Sequence, residues 1–341
     1  MADVLGTNFD YCYDGKVATD VIYKPSVNTP EITQLFTVKT GIKYKLQLTL
    51  VGILDKIVKA YSGCTRSISG TGIDLTSCEL EVFEVEFLLE QCKDAFESTV
   101  FGEFLPDGVA ANELGPQIRG IIDNIIIDAL RRDNFRILSF GDTTSLSADY
   151  NQLDGLWTKL IAGVATYCVD KIDTLPSGDW DDPCTYDCNC GPVEYLKNLY
   201  EGANVILKQL PVNRKAFYVT GSVYEGVLNC YEVQGLGLAN PQMIQKDNTG
   251  GLMFRGIPII PIYAWDVALT DTANPLYGTD KLILYTTKEN HFVGLAREAD
   301  MGAIVSHFEW WDREYYFEGQ YKMGYNYCHC DLQAISYSTP S

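Results

Sequence analysis

The sequence predicts an α+β fold, and three stretches carry that prediction. KYKLQLTLV (43–51) puts Tyr44, Leu46, Leu48 and Leu50 on one face and Lys43, Lys45, Gln47 and Thr49 on the other, the two-residue period of a half-exposed strand. NELGPQIRGIIDNIIIDALRRDNF (112–135) repeats Leu114, Ile118, Ile121/Ile122, Ile125 and Ala129 at three- and four-residue spacing, the mark of an amphipathic helix. Residues 192–231 read helix, strand, helix, which implies a mixed layer of both structures.

Taken in order, residues 1–38 are polar, rich in Tyr, Asp and Thr, and read as an extended arm. Residues 39–90 hold two strand patterns around a Gly/Ser/Thr-rich middle, YSGCTRSISGTG (61–72). The second pattern, ELEVFEVEFLL (79–89), alternates Phe83, Val85 and Phe87 with Glu84 and Glu86. Together they predict a long two-stranded ribbon, which is marginal alone and must lean on something else, such as another copy of the chain. Residues 91–150 hold the long helix, expected over about 114–132 with Pro116 in its first turn. Ile126, Ile127 and Leu130 widen its apolar face, and a short helix is expected before it over Leu89–Ser98.

Residues 151–260 open with a helix carrying Leu153, Leu156/Trp157 and Leu160/Ile161 toward a core. DTLPSGDWDDPCTYDCNCGP (173–192) is a loop by its turn residues. Pro192 opens a helix with Val193, Leu196, Leu199, Ala203, Ile206/Leu207 and Leu210 on one stripe, and KAFYVT (215–220) reads as a buried strand. Ser222 and Glu225 form a capping box for a helix over Val223–Tyr231. NTGGLMFRGIPIIPIYAWD (248–266) holds Pro258 and Pro261, which lack ladder donors, so it reads as an extended edge or connecting segment. Residues 261–341 return through KLILYT (281–286) and HFVGLA (291–296), joined by the turn TKEN. They close with REYYFEGQYKMGYNY (313–327), where Tyr315, Phe317, Tyr321, Met323, Tyr325 and Tyr327 share one parity.

Composition narrows the function. The 341 residues carry 45 acidic and 26 basic side chains, a formal charge of -19. Tight wrapping of nucleic acid needs positive patches, and the densest basic spots are only Arg131-Arg132 and Lys43/Lys45. No apolar run of 18 residues suits a membrane span. The chain opens without a charged then apolar export signal, so its 11 cysteines are expected as free thiols in a reducing cytoplasm.

Motifs for chemistry are few. His291, His307 and His329 are the only histidines, and no phosphate-binding glycine loop, GxSxG elbow or HExxH is present. Glu309, Asp312 and Glu314, around WWDREYY, are the best place for a glycosidase-type carboxylate pair, though alternating strand faces explain the same residues. PCTYDCNCG supplies Cys184, Cys188 and Cys190, while YCHCD supplies Cys328, His329 and Cys330. Thiolates from both clusters would make a structural zinc set, although Cx3C and CxC miss the usual Cx2C knuckle. The alternative is free thiols on loops, or thiols oxidised in an extracellular particle. No catalytic residue and no cofactor is expected.

The order of parts resembles the major capsid proteins of tailed bacteriophages, the HK97-like fold. Tyr44–Leu50 with Leu80–Phe87 match that family's E-loop ribbon, and Leu114–Arg132 match its spine helix in the peripheral domain. Val193–Leu210, Lys215–Thr220 and Val223–Tyr231 resemble axial-domain elements. Phe254-Arg255-Gly256-Ile257-Pro258-Ile259 and Thr286-Thr287-Lys288-Glu289-Asn290 resemble recurring family phrases, and Trp311–Gly324 its closing strand and glycine. In this reading 248–266 leaves the axial domain and returns to the peripheral one.

The resemblance implies a non-enzymatic subunit that assembles into hexamers and pentamers of an icosahedral head shell enclosing phage DNA without binding it specifically. It would be built in the host cytoplasm and reside in the virion. Tyr44, Leu46, Leu48, Leu50, Phe83, Val85 and Phe87 would make the intersubunit contacts. Implied partners are copies of itself, a portal, decoration proteins, and a separate scaffolding protein, because the segment before the ribbon is too short for a cleaved scaffold. No ribbon-tip lysine is present for chemical crosslinking. Alternatives are an auxiliary phage structural protein, an encapsulin-like compartment shell, or a carboxylate-dependent hydrolase.

Overall fold

The computed structural model describes residues 32–51, 75–92, 116–172, 191–234, 244–247, 250–279, 281–297, 304–309, 311 and 314–337. A turn of helix, α1 (Ile32–Leu35), leads into β1 (Thr37–Lys39). Leu35 and Phe36 are buried in the main core, so this end of the 1–38 stretch belongs to the body; residues 1–31 lie outside the described set.

The ribbon is present, with a different second strand from the one expected. β2 (Lys45–Val51) pairs antiparallel with β3 (Leu75–Glu81), in register from Lys45↔Glu81 to Val51↔Leu75. β4 (Phe83–Cys92) instead lies along β13 (Glu314–Tyr327), from Glu314↔Cys92 to Met323↔Phe83. Alternation marks a strand but not its partner, and Val85 buries in the main core. Leu89–Cys92 therefore continues β4 and is not helical; residues 93–98 lie outside the described set.

β13 organises a five-stranded sheet. β4 occupies one of its edges, and the other is shared by β12 (Val305–Glu309) at its start and β11 (His291–Leu295) at its end. β1 adds parallel to β11. The expected parity holds: Tyr315, Phe317, Tyr321, Met323 and Tyr325 are buried.

The long helix, α2 (Pro116–Phe140), runs beyond the expected end at 132. Ile122, Ile126 and Leu130 pack on Tyr315 and Phe317 of β13. Its last turns bury two polar side chains that find distant partners. Asn134 accepts from the Tyr321 hydroxyl, and Ser139 Oγ accepts from Trp265 Nε1 at 3.0 Å. Those bonds satisfy the two polar groups within a stretch whose Phe135, Ile137, Leu138 and Phe140 continue the apolar face into the main core. α3 (Leu156–Ala165) packs beside it with Leu156, Trp157 and Leu160 in the same core.

The second sheet has seven strands in the order β5 (Asp170–Lys171), β14 (Gln333–Tyr337), β10 (Leu282–Thr286), β6 (Ala216–Val219), β9 (Ile257–Pro261), β8 (Leu252–Phe254) and β7 (Ile244–Lys246). Both faces are covered, which is why KAFYVT and KLILYT read as unbroken apolar runs. Phe217, Val219, Ile283 and Tyr285 face the helices α4 (Gly191–Gly202), α5 (Val205–Gln209) and α6 (Gly221–Gln234). Ala216, Tyr218, Leu282 and Leu284 face the main core, together with the last turns of α2, α3 and α7 (Tyr263–Leu269). The single helix expected over 193–210 is broken at Asn204, whose side chain caps α5 through Ile206 N at 2.9 Å.

One expectation changes here. β9 is internal, between β6 and β8, despite its prolines. Its contact with β8 is only the two pairs of a hairpin, so Pro258 removes little. Arg255 (φ 50) and Gly256 (φ 79) form the two-residue turn with both φ positive that suits such a hairpin. The expected short turn between KLILYT and HFVGLA is present at Lys288–Asn290, and it carries the chain from β10 in one sheet to β11 in the other.

Candidate assembly surface

The ribbon separates its chemistry by face. Leu46 packs against a small cluster of Ile42, Leu80 and Val82, shared with Phe292. Leu48 is half-buried opposite Cys78, and Tyr44, 66% exposed, sits just before β2. Leu50 pairs with Thr76 farther out. The opposite face is charged, with Lys45 3.4 Å from Glu81 and 3.8 Å from Glu79.

The base of the ribbon is tied to β13. Asn326 Nδ2 donates to the Glu79 carbonyl at 2.7 Å, and Lys322 Nζ donates to the Lys43 carbonyl, just before β2, at 3.4 Å. Gly324 lets the backbones meet, because an added Cβ would fall onto the Glu81 carbonyl oxygen. Among the residues expected at intersubunit contacts, Val85 is buried in the body, Phe87 packs against two core clusters, and only Phe83 is exposed on β4.

The expectation of free thiols is overturned for every described cysteine except Cys92. Cys78 is bonded to Cys328 and Cys168 to Cys330. Cys230 is also disulfide-bonded, and Cys92 is the free cysteine among the described residues. Cys328 and Cys330 are thereby committed to two different partners and cannot serve together as thiolate ligands. Cys184, Cys188 and Cys190 lie outside the described residues. Among the described residues no group of three His, Cys, Asp or Glu is placed to hold a metal ion.

The remaining candidates for chemistry are structural. His291 is fully buried, with Nδ1 2.8 Å from the Tyr325 hydroxyl and Nε2 2.9 Å from Thr286 Oγ1. Burial pushes its pKa down to about 3, so the ring stays neutral. His307 stacks on Tyr316 on the outer face of the five-stranded sheet. His329 is exposed, and its backbone N–H and C=O both bond to the Asn290 side chain, at 2.7 and 2.8 Å.

Glu309 and Glu314 face each other across β12 and β13, and Glu314 accepts from the Tyr316 hydroxyl at 3.1 Å; Asp312 lies outside the described set. A cleft of ≈ 380 Å³ lies elsewhere, between α2 and α7, lined by Arg132, Arg136, Tyr150, Trp265 and Asp271 among others. Tyr150 donates to Asp271 at 3.0 Å. The Ala273 N–H holds the Asp271 carboxyl below its usual range, and burial lifts the Tyr150 phenol to about 12. Neither is poised near neutral pH, where a general acid or base works best. Among the described residues no helix is long and apolar enough to cross a membrane.

No protein-family model matches the sequence, and no curated protein matches it. Solved structures do. A chain of Mycobacterium phage Ogopogo superposes with a TM-score of 0.56 at 10% identity, covering 93% of this chain and 94% of that one. The capsid of an empty GTA particle gives 0.55 at 10% identity, covering 94% of this chain and 100% of that one. The capsid structure of the cyanophage P-SCSP1u gives 0.51 at 11% identity, covering 98% and 94%. The chain is an α+β protein whose fold, over nearly its whole length, is that of phage and GTA capsid chains.

Proposed function

We propose that this chain is a major capsid protein, forming the hexamers and pentamers of an icosahedral head shell that encloses phage DNA. The observation that carries the reading is the end-to-end match to a chain of a capsid, 94% of this chain against 100% of the GTA capsid chain. It is supported by the ribbon, whose two strands find no third among the described residues. β2 and β3 act as the E-loop and α2 as the spine helix. The five-stranded sheet forms the peripheral domain and the seven-stranded sheet with α4 and α6 the axial one.

The contact set on neighbours narrows to Tyr44, Leu46, Leu48, Leu50 and Phe83, since Val85 and Phe87 are committed to the body. Many modest contacts per copy close into rings and then a shell, stable through multivalency. A wall of subunits that each carry a net charge of -19 repels enclosed DNA instead of binding it. Scaffolding, portal and decoration proteins are the expected partners, the particle the expected location.

Sedimentation of the purified chain, with and without crowding agent, followed by electron microscopy of the fastest fraction, tests the reading. Shells, or rings of five and six subunits, are expected. A strictly monomeric chain that also fails to enter particles when co-expressed with its neighbouring genes would overturn it.

A further inference from the structure

We infer that the two disulfides meeting at the β13–β14 junction form a redox clamp, which fixes the outgoing ribbon to the body of the molecule. They span 250 and 162 residues of sequence yet end two positions apart, at Cys328 and Cys330. The anchor between them is rigid: His329 is gripped through its backbone by the fully buried Asn290. From that point one bond reaches β3 of the ribbon and the other reaches the end of α3. Tyr327 sits between them, its carbonyl oxygen 3.5 Å from Cys78 Sγ and its hydroxyl 3.8 Å from Cys168 Sγ.

The position of Cys78 gives the clamp its consequence. The apolar cluster at the ribbon base ends at Leu46 and Leu80. Cys78 is the next inward-facing position outward along β3, opposite Leu48. With the bond open, the last ties of β3 to the body are the Leu80 contacts and the Asn326 hydrogen bond to the Glu79 carbonyl. With it closed, a covalent tie is added at Cys78 and the ribbon loses its freedom to swing. The open state leaves Cys78 satisfied, because its thiol can donate to the Tyr327 carbonyl and its sulfur lies 3.7 Å from Asn326 Nδ2. Both states therefore fit the same fold.

Each closure removes two protons and two electrons from a pair of thiols and forms one S–S bond. A low-molecular-weight disulfide such as oxidised glutathione accepts them by exchange through a mixed disulfide and leaves as two thiols. A chain folded in a reducing compartment carries the clamp open, and exposure to an oxidising one closes it.

The test uses the full chain, reduced or treated with oxidised glutathione, read by peptide mapping and by amide hydrogen exchange. Oxidation is expected to yield linked peptides carrying Cys78–Cys328 and Cys168–Cys330. It should also slow exchange over 45–51 and 75–81, on the order of tenfold. Cys78→Ser should abolish the slowing in the ribbon alone, while Cys168→Ser keeps it there and loses protection at the end of α3. Absence of either linked peptide in the oxidised wild type, or equal ribbon exchange in both states, overturns the clamp. The oxidised and reduced wild type are enough to decide this if a variant fails to fold. Because every readout is on the single chain, failure here is distinct from failure to build shells.

Discussion

Burial keeps His291 neutral, and this makes the fold sensitive to mild acid. The unfolded chain takes up a proton on this ring below about pH 6.5, whereas the folded chain resists until about pH 3. Stability therefore falls as pH falls through that window, by up to about 1.4 kcal/mol per pH unit from this group. Urea midpoints at pH 7 and pH 5 should show the loss in the wild type and a smaller one in His291→Gln. Asp271, whose pKa is lowered by the Ala273 N–H, contributes only at more acidic pH. A different role, a helix cap, falls to Asp266. Its carboxylate accepts from Gly221 N at 2.6 Å and Ser222 N at 3.2 Å, capping α6 from another helix. Asp266→Ala should cost about 1–2 kcal/mol by denaturant titration. The sequence suggested a local Ser222–Glu225 box, but the Ser222 hydroxyl turns instead to Thr220 Oγ1 at 3.2 Å. A cap supplied from far along the chain leaves no trace in local spacing.

Elements were legible where one period governs them. β13 was readable because its inward parity holds from Tyr315 to Tyr325, and α2 was readable in type but not in length. Phe135, Ile137, Leu138 and Phe140 continue its buried face beyond the charged Arg131–Asp133 stretch, with Asn134 and Ser139 buried among them. Strand pairing was not legible: β2, β3 and β4 each alternate cleanly, and only packing decides that β4 joins β13 while β3 joins β2. The ribbon carries two predictions. Leu48→Asp should leave the far-ultraviolet circular dichroism unchanged and eliminate fast-sedimenting particles, because Leu48 is only half-buried within the chain. Gly324→Ala should act on the fold itself. Its new Cβ meets the Glu81 backbone, so β3 must shift and stability should drop by about 1–3 kcal/mol in a thermal melt.

At the scale of the molecule, two sheets share one core, and the two chain crossings at Lys288–Asn290 and 328–332 sit side by side, held by Asn290. Composition made the acidic character plain but not the cysteine chemistry, because pairing depends on segments that only the folded topology brings together. The net charge of -19 sets a further expectation for assembly. Copies repel at low ionic strength, and that repulsion is screened as the Debye length shrinks. Light scattering at fixed protein concentration should rise between about 0.05 and about 0.5 M salt. Scattering that is flat or falling across that range would show that contact between copies does not work against this charge.

The placement of β13 has a mechanical meaning. It is bonded to β4 along one edge and to β12 and β11 along the other, and the ribbon base hangs from its far end through Asn326. A pull on the ribbon along the strand axis loads these ladders in shear, so many hydrogen bonds must fail together. A pull across the axis peels them one pair at a time. The molecule is thus tough in one direction and compliant in the other, as a tie-beam is, and a wall built from such units would hold tension best where its ribbons lie along the line of stretch.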